Sequence, residues 1–334
     1  MLINGGVQRG FTPLQGVWGI PPNPIVPQDW GTQGVERAIV NALENVRFRK
    51  RPMTVRVVTD SICDTAPNLA QELGITVVPV YVIFGQKAYR DRVDISEDEF
   101  YHKLVYGSVY PTTSVPSPQD FADAYNRLAQ ETDEIISIHA TSKLSGIYNS
   151  ALLGAQMVAG KCRIEVVDSK SISIGLGLSV LAAAREARAG KNLEQVTQST
   201  RQAILHIHNR SMADTLKYAV KGGRINRAYG LIGTVLGVKP ILGMRDGGAF
   251  LAGVARTRAK ALQRMYEFAA SFAKVQEIAL GYTTEYDDAK NLAQRLKTTF
   301  PDTPVYIARV CPAVAVYGGP GSLGIGVRES QPDE

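Results

Sequence analysis

A chain of 334 residues, 45% apolar and 20% charged, can form two ordinary domains or one large one, and its composition is that of a globular protein rather than a low-complexity or disordered one. Its 37 basic and 31 acidic residues leave a net charge of +6, too small an excess to argue for nucleic acid as a partner. Cys63, Cys162 and Cys311 lie too far apart for a close metal pair or a disulfide framework, and no secretory signal or membrane span is visible, so the expected location is cytoplasmic.

Residues 1–53 are rich in Gly, Pro and aromatic residues and read as an extension or linker. "VERAIVNALENVRFRK" within it predicts a short amphipathic helix, and Phe11, Trp18 and Trp30 are candidates for packing onto another surface or subunit. "RFRKR" reads as a solvated linker.

The main fold begins near residue 54 with a strand, "TVRVVTD", after which Asp64 is placed to cap the helix "TAPNLAQEL". "ITVVPVYVIF" is a further extended segment and "SEDEFYHKLV" an amphipathic helix. "SPQDFADAYNRLAQE" carries a complete helix-start signal: Ser117 as cap, Pro118 at the first helical position, Asp120 three residues on from the cap. "EIISIHA", "GIYNSALLGAQMVA", "IEVVDS" and "GLGLSVLAAAREARAG" continue as strand, helix, strand, helix. This order predicts an α/β lobe over 54–204 whose apolar, mainly parallel sheet is covered by helices.

A second α/β lobe is expected over 205–330. Its signals are the helix "YGLIGTVLGV", the strands "KPILGM" and "AFLAGVAR" about a turn at "RDGG", and the helix "TRAKALQRMYEFAASFA". "EIALGYT", "YDDAKNLAQRLKTTF" and "VYIARV" then repeat the alternation, and a cleft between the lobes fits the whole order.

Ligand crevices form beyond the C-terminal ends of parallel strands, where "TDSICD", "PTTSVPS" and "HATSKLSGIYNS" fall. The hydroxyls of Thr113 and Ser145 could grip one carboxylate from two loops, since it needs only donors and each hydroxyl has one proton to give. Equally, both residues could stabilise turns or helix starts. Gly146 would permit close approach of the backbone.

A hydrolase built on Ser145 is a competing reading, but "LSGIY" is not a glycine-flanked nucleophile elbow, and His102, His139, His206 and His208 show no acid–base arrangement with it. Asp60, Asp64, Asp91 and Asp94 lack a cation-loop pattern and read as caps or solvated loop residues, and no metal site is expected. In "KGGR", Lys221 and Arg224 offer charge to a phosphate or an acidic partner, while the glycines suit a sharp interdomain turn. "YGGPGSLGIG" reads as an anion nest or a rigid turn.

Taken together, "VVTDSICD", "PTTSVPSPQDF", "TSKLSGIYNSA", "VVDSKSISIGLG", "KGGRI" and "GGPGSLGIG", in this order, resemble the DegV family of bacterial fatty-acid-binding proteins over about residues 54–330. The resemblance implies two α/β lobes holding a long-chain fatty acid, with its carboxylate on Thr113 and Ser145 and head-group support from Ser114, Ser142, Gly146 and Tyr317. It implies a non-enzymatic carrier without a cofactor, the fatty acid being its ligand. A separate fatty-acid kinase would phosphorylate the carboxylate, the carrier retaining the acyl phosphate, with Lys221 and Arg224 meeting the added charge or the kinase. Tyr317 stands where many relatives have a histidine, which makes phosphorylated-ligand handling a weaker implication than acid binding. Ile62, Val80, Leu176, Leu231, Ile232 and Leu236 are candidates to touch the tail. Besides the Ser145 hydrolase, a lipid-sensing regulatory module is the alternative function; transient membrane contact, oligomeric state and acyl-chain length stay open.

Overall fold

A computed structural model describes residues 55–224 and 237–330. The helix expected near residues 35–50, and Leu231, Ile232 and Leu236, lie outside the described residues.

The first half opens with β1 (Arg56–Asp60), α1 (Pro67–Glu72), β2 (Thr76–Val78), β3 (Tyr81–Phe84), β4 (Lys87–Arg90) and α2 (Glu97–Tyr106). It continues with β5 (Thr112–Ser114), α3 (Pro118–Leu128), β6 (Glu134–His139), α4 (Ile147–Met157), β7 (Arg163–Asp168), α5 (Ser173–Arg188) and α6 (Leu193–Leu205). The second half contains β8 (Ile207–Met212), α7 (Lys217–Lys221), β9 (Lys239–Arg245), β10 (Gly248–Ala255) and α8 (Arg258–Ala270). β11 (Val275–Tyr282), α9 (Tyr286–Thr299), β12 (Val305–Arg309), α10 (Pro312–Gly318) and β13 (Leu323–Glu329) complete it.

The first lobe is built on a parallel sheet in the order β2-β1-β6-β7. All six residues of β6 are buried, which explains why "EIISIH" has no alternating polar face: helices cover both sides of the sheet. The expected extended run over 75–84 is two strands. Pro79 lies between β2 and β3, where its missing N–H ends one ladder, and β3 joins a separate antiparallel sheet, β4-β3-β5. "TTS" is therefore an edge strand as well as the prelude to a helix.

Ser117 caps α3 as expected: its hydroxyl accepts from the Asp120 amide and the Asp120 carboxylate accepts from the Ser117 amide. Asp64 does not cap α1, whose cap position is Ala66, with Pro67 opening the helix. The Asp64 carboxylate is drawn instead into a long-range network described below.

The second lobe is a six-stranded mixed sheet in the order β10-β9-β8-β13-β11-β12. Only β11 and β12, joined through α9, pair in parallel; the other pairs are antiparallel. "RDGG" is the tip of the β9–β10 hairpin, as its turn residues suggest.

Helix α5 packs against both sheets. Every residue from Ile174 to Ala184 is buried, so its sequence is apolar all round rather than on one stripe. Room for it comes partly from β13, where a Cβ on Gly324 would stand 3.2 Å from Ile174 Cδ1. At the other end of α5, Arg185 bonds Glu277 of β11 at 2.8 Å, and Arg328 of β13 takes the second Glu277 oxygen at 3.0 Å. Glu277 is 2% exposed, and its two cationic partners compensate the desolvation of its charge.

The core of the first sheet also draws on Val310, Cys311, Ala313, Ala315 and Val316, from the end of the chain. A second core, including Met212, Met265, Leu292 and Ile325, fills the space between the mixed sheet and helices α8 and α9.

Candidate functional site

A cavity of about 210 Å³ is lined from both lobes. Its wall is mainly aliphatic: Ile62, Val80 and Ile147 come from the first lobe, Ile172 and Ile174 from the start of α5, Leu242 and Val314 from the second half of the chain. Of the tail-contact candidates, Ile62 and Val80 line it; Leu176 is fully buried in the first core and does not.

Thr113 and Ser145 both reach this wall, together with Tyr317 and Arg224. Thr113 is on β5 and its Oγ1 lies 2.5 Å from the Tyr317 hydroxyl, the proton being available from either side. Ser145 ends the loop after β6, where its Oγ accepts from the Ile147 amide at 3.4 Å in the first turn of α4. That bond occupies a lone pair and leaves the hydroxyl proton unspent. The Arg224 guanidinium stacks over the Tyr317 ring at 4.6 Å and donates to the Gly222 carbonyl at 2.8 Å.

The other expected head-group residues do not line the cavity. Ser114 follows Thr113 on a strand, so its side chain takes the opposite face, and it is exposed. Ser142 is exposed and donates to Asp168 Oδ2 at 2.6 Å, which fixes the loop after β6 to the end of β7. Gly146 is exposed and a Cβ there would meet open space, so no neighbouring protein atom demands glycine. Lys221 stacks over the Tyr110 ring at 3.8 Å, outside the wall.

Gly222, by contrast, is required: a Cβ would fall 2.2 Å from Tyr317 Cδ1. The paired glycines let α7 end directly against the tyrosine that bonds Thr113. Tyr110 steadies the same corner, donating to the Val316 carbonyl at 2.7 Å, and burial, followed by neighbouring Tyr218 and Tyr317, pushes its phenol up to about 12.

Sequence reasoning missed the network that holds the wall. Asp64 Oδ1 accepts from Arg92 Nη2 at 3.0 Å and from the Cys311 amide at 2.9 Å, while Oδ2 accepts from Ser173 Oγ at 2.6 Å. One carboxylate thus ties the β4–α2 connection to the starts of α5 and α10. Arg92 and Ser173 both hold left-handed backbone conformations, with φ 59° and 54°. Burial pushes the Asp64 carboxyl up, against the pull of Arg92 and its other donors. Burial also opposes the Arg92 charge, yet Asp64 leads the interactions that hold that guanidinium above its ordinary range.

Asp91, 1% exposed, receives the Ser61 hydroxyl at 3.0 Å on Oδ2. Its Oδ1 has no well-formed hydrogen bond, although the Ala313 amide contributes favourably. Burial, partly offset by Arg92, pushes its carboxyl up to about 7. Asp60 and Asp94 are also individually engaged, with His139 and Arg90 respectively. Asp60, Asp64 and Asp91 are therefore buried rather than solvated, Asp94 is exposed as expected, and no group of three or more metal-binding side chains gathers among the described residues.

The hydrolase reading needs a base at Ser145, and no histidine bonds it among the described residues. His139 is spent elsewhere: Nε2 lies 2.7 Å from Ser137 Oγ and Nδ1 lies 3.0 Å from Asp60 Oδ2. All three residues have zero exposure, and the Tyr125 hydroxyl closes on Ser137 at 2.8 Å. The arrangement has the partners of a serine–histidine–aspartate triad but no access for a substrate. Its visible work is structural, locking the ends of β1 and β6 beneath the cavity loops. No described helix is long and apolar enough to cross a membrane.

The family model described as "Uncharacterised protein, DegV family" matches residues 54–330. A DegV domain-containing protein of Deinococcus radiodurans is 35% identical over 278 residues, covering 82% of this chain and 98% of that protein. The solved structure described as fatty acid binding of a DegV family protein from Thermus thermophilus is 33% identical, with a TM-score of 0.76 and coverage of 83% of this chain and 100% of that one. A stearic-acid-binding protein of Eubacterium ventriosum is 26% identical, with a TM-score of 0.75 and coverage of 82% and 98%. On its ordered motifs, its two-lobed α/β architecture and these matches, the chain belongs to the DegV family.

Proposed function

We propose that this protein binds a long-chain fatty acid in the cavity between its lobes, with the carboxylate held by Thr113 and Ser145. The observation that carries this reading is the state of the two hydroxyls on an otherwise mainly aliphatic wall. Ser145 already accepts an amide proton, so its own proton is free to give. When Tyr317 donates to Thr113, the Thr113 proton is likewise free to give. Both residues then have a proton to offer a carboxylate, and the Tyr317–Thr113 chain polarises the outer bond.

The tail supplies the affinity. Each buried methylene contributes roughly 0.8 kcal/mol, so an acyl chain of about sixteen carbons brings a gross driving force of ~10 kcal/mol or more before ordering costs. The fatty-acid binding described for the Thermus and Eubacterium relatives supports the same ligand class.

The protein acts as a carrier: it presents the carboxylate to a separate fatty-acid kinase and retains the acyl phosphate. Arg224, with donors to spare beside Tyr317, meets the added charge, and Lys221 faces the partner. Tyrosine in place of histidine leaves that charge to the arginine.

Native mass spectrometry of the purified protein, followed by lipid extraction, tests the reading. The expected result is one co-purified fatty acid per chain. Retention of full affinity in Thr113→Val/Ser145→Ala would refute the head-group assignment, and turnover of an acyl ester by the protein alone would favour the Ser145 hydrolase.

A further inference from the structure

Most hydroxyls on the cavity wall already have a protein partner. Besides Thr113 and Ser145, Ser173 donates to Asp64 at 2.6 Å and Thr215 accepts from the Lys217 amide at 3.1 Å. Thr283 donates to the Ser322 carbonyl at 3.1 Å, and the Ser322 hydroxyl donates to the Gly318 carbonyl at 2.6 Å. Ser211 lines the same cavity, is exposed, and its hydroxyl has no hydrogen-bond partner among the described residues.

The register of the mixed sheet fixes where Ser211 points. Its neighbour Met212 belongs to the core under α8 and α9, so Ser211 takes the other face. It pairs with Gly324, whose own Cβ direction runs toward Ile174 on the cavity wall, and with Leu242, which also lines the cavity. Asn209, two residues earlier on the same face, gives its amide to Ser171 Oγ at 2.7 Å and keeps its carbonyl oxygen unspent among the described residues. The inner face of β8 therefore presents a hydroxyl and an amide oxygen, roughly 7 Å apart along the strand, to a mainly aliphatic space.

A plain hydrocarbon laid across this face strips both groups of water and returns no hydrogen bond. A chain with its own hydroxyl returns a hydrogen bond to whichever of the two it meets. We propose that the cavity is adapted to a hydroxylated long-chain fatty acid, with Ser211 as the hydrogen-bond partner of the chain's hydroxyl and the Asn209 carbonyl oxygen a separate acceptor one strand repeat away. This rests on the fatty-acid reading above and adds the substrate class. A site that hydrogen-bonds a ligand hydroxyl discriminates against the analogue that lacks it, which a purely aliphatic pocket does poorly.

The test is displacement of an anthroyloxy-labelled stearate by octadecanoic acid and by its 3-, 9-, 10- and 12-hydroxy derivatives, on wild type and Ser211→Ala. At least one hydroxy isomer is expected to bind wild type about 3- to 10-fold tighter than octadecanoic acid, the worth of one neutral hydrogen bond. Ser211→Ala should erase that preference while leaving octadecanoic acid as tight or tighter. Equal or weaker binding of every hydroxy isomer overturns the inference while leaving fatty-acid binding standing. A Ser211→Ala variant that weakens octadecanoic acid as much as its derivatives also overturns it, placing Ser211 at the carboxylate. Failure of all the acids to displace the probe refutes the fatty-acid reading itself.

Discussion

Replacing Asp91 by asparagine should change how stability responds to pH. Asp91 is sealed between Ser61 and the start of α10, and burial raises its carboxyl to about 7. In the unfolded chain the same group titrates near ~3.9. Between these values the folded state holds a proton that the unfolded state has released, so stability falls as pH rises through this window. Below it both states are protonated and above it both are ionised, so the contribution levels off. At 1.36 kcal/mol per unit, the whole window is worth on the order of 4 kcal/mol, of which roughly 2–3 kcal/mol falls between pH 5 and pH 8. Asparagine cannot titrate. Urea denaturation followed by far-ultraviolet circular dichroism at pH 5, 6, 7 and 8 should show wild type losing that much more stability than Asp91→Asn as pH rises. Parallel curves for the two proteins would mean that Asp91 is already ionised and well solvated in the fold.

Three further outcomes follow from the geometry. Thr113→Val/Ser145→Ala should weaken fatty-acid binding by about 10- to 1,000-fold, since hydrogen bonds to a charged group contribute roughly 1.5–3 kcal/mol each and coupling trims their sum; fluorescence displacement reads this, with an unchanged circular dichroism spectrum as control. Gly222→Ala should displace Tyr317, costing about 1–3 kcal/mol of stability and weakening acid binding; a variant with unchanged melting and affinity would show that α7 moves freely. Glu277→Ala should cost about 3–5 kcal/mol in chemical denaturation, because it leaves Arg185 and Arg328 facing each other without their shared anion.

What could be read from the chain alone was what depends on near neighbours. The Ser117 capping box is complete within four residues and formed as expected. The strand-and-helix alternation over 54–204 was equally legible, because a sheet covered on both faces leaves uninterrupted apolar runs such as that of β6. Thr113 and Ser145 were singled out by chemistry and motif, and the cavity includes both. Ser114 and Ser142 were not separable from them, since strand alternation at 113–114 and the reach of Asp168 across to Ser142 appear only once the sheets are built. Asp64 had the spacing of a helix cap, but partners at 92, 173 and 311 won its carboxylate; nothing local announces contacts over such separations. Ser211 carried no signal in the sequence, and its pairing with Gly324 is what shows which way it faces.

The burial of residues 310–316 in the first core has a consequence for how the molecule is made. On a ribosome, residues 54–204 emerge long before the segment that finishes their interior. Until α10 arrives, the first sheet lacks part of its apolar filling and Asp64 lacks the Cys311 amide. The half synthesised first must therefore wait for the last described helix to reach its final packing, and a nascent chain halted near residue 300 would expose that gap to chaperones and proteases.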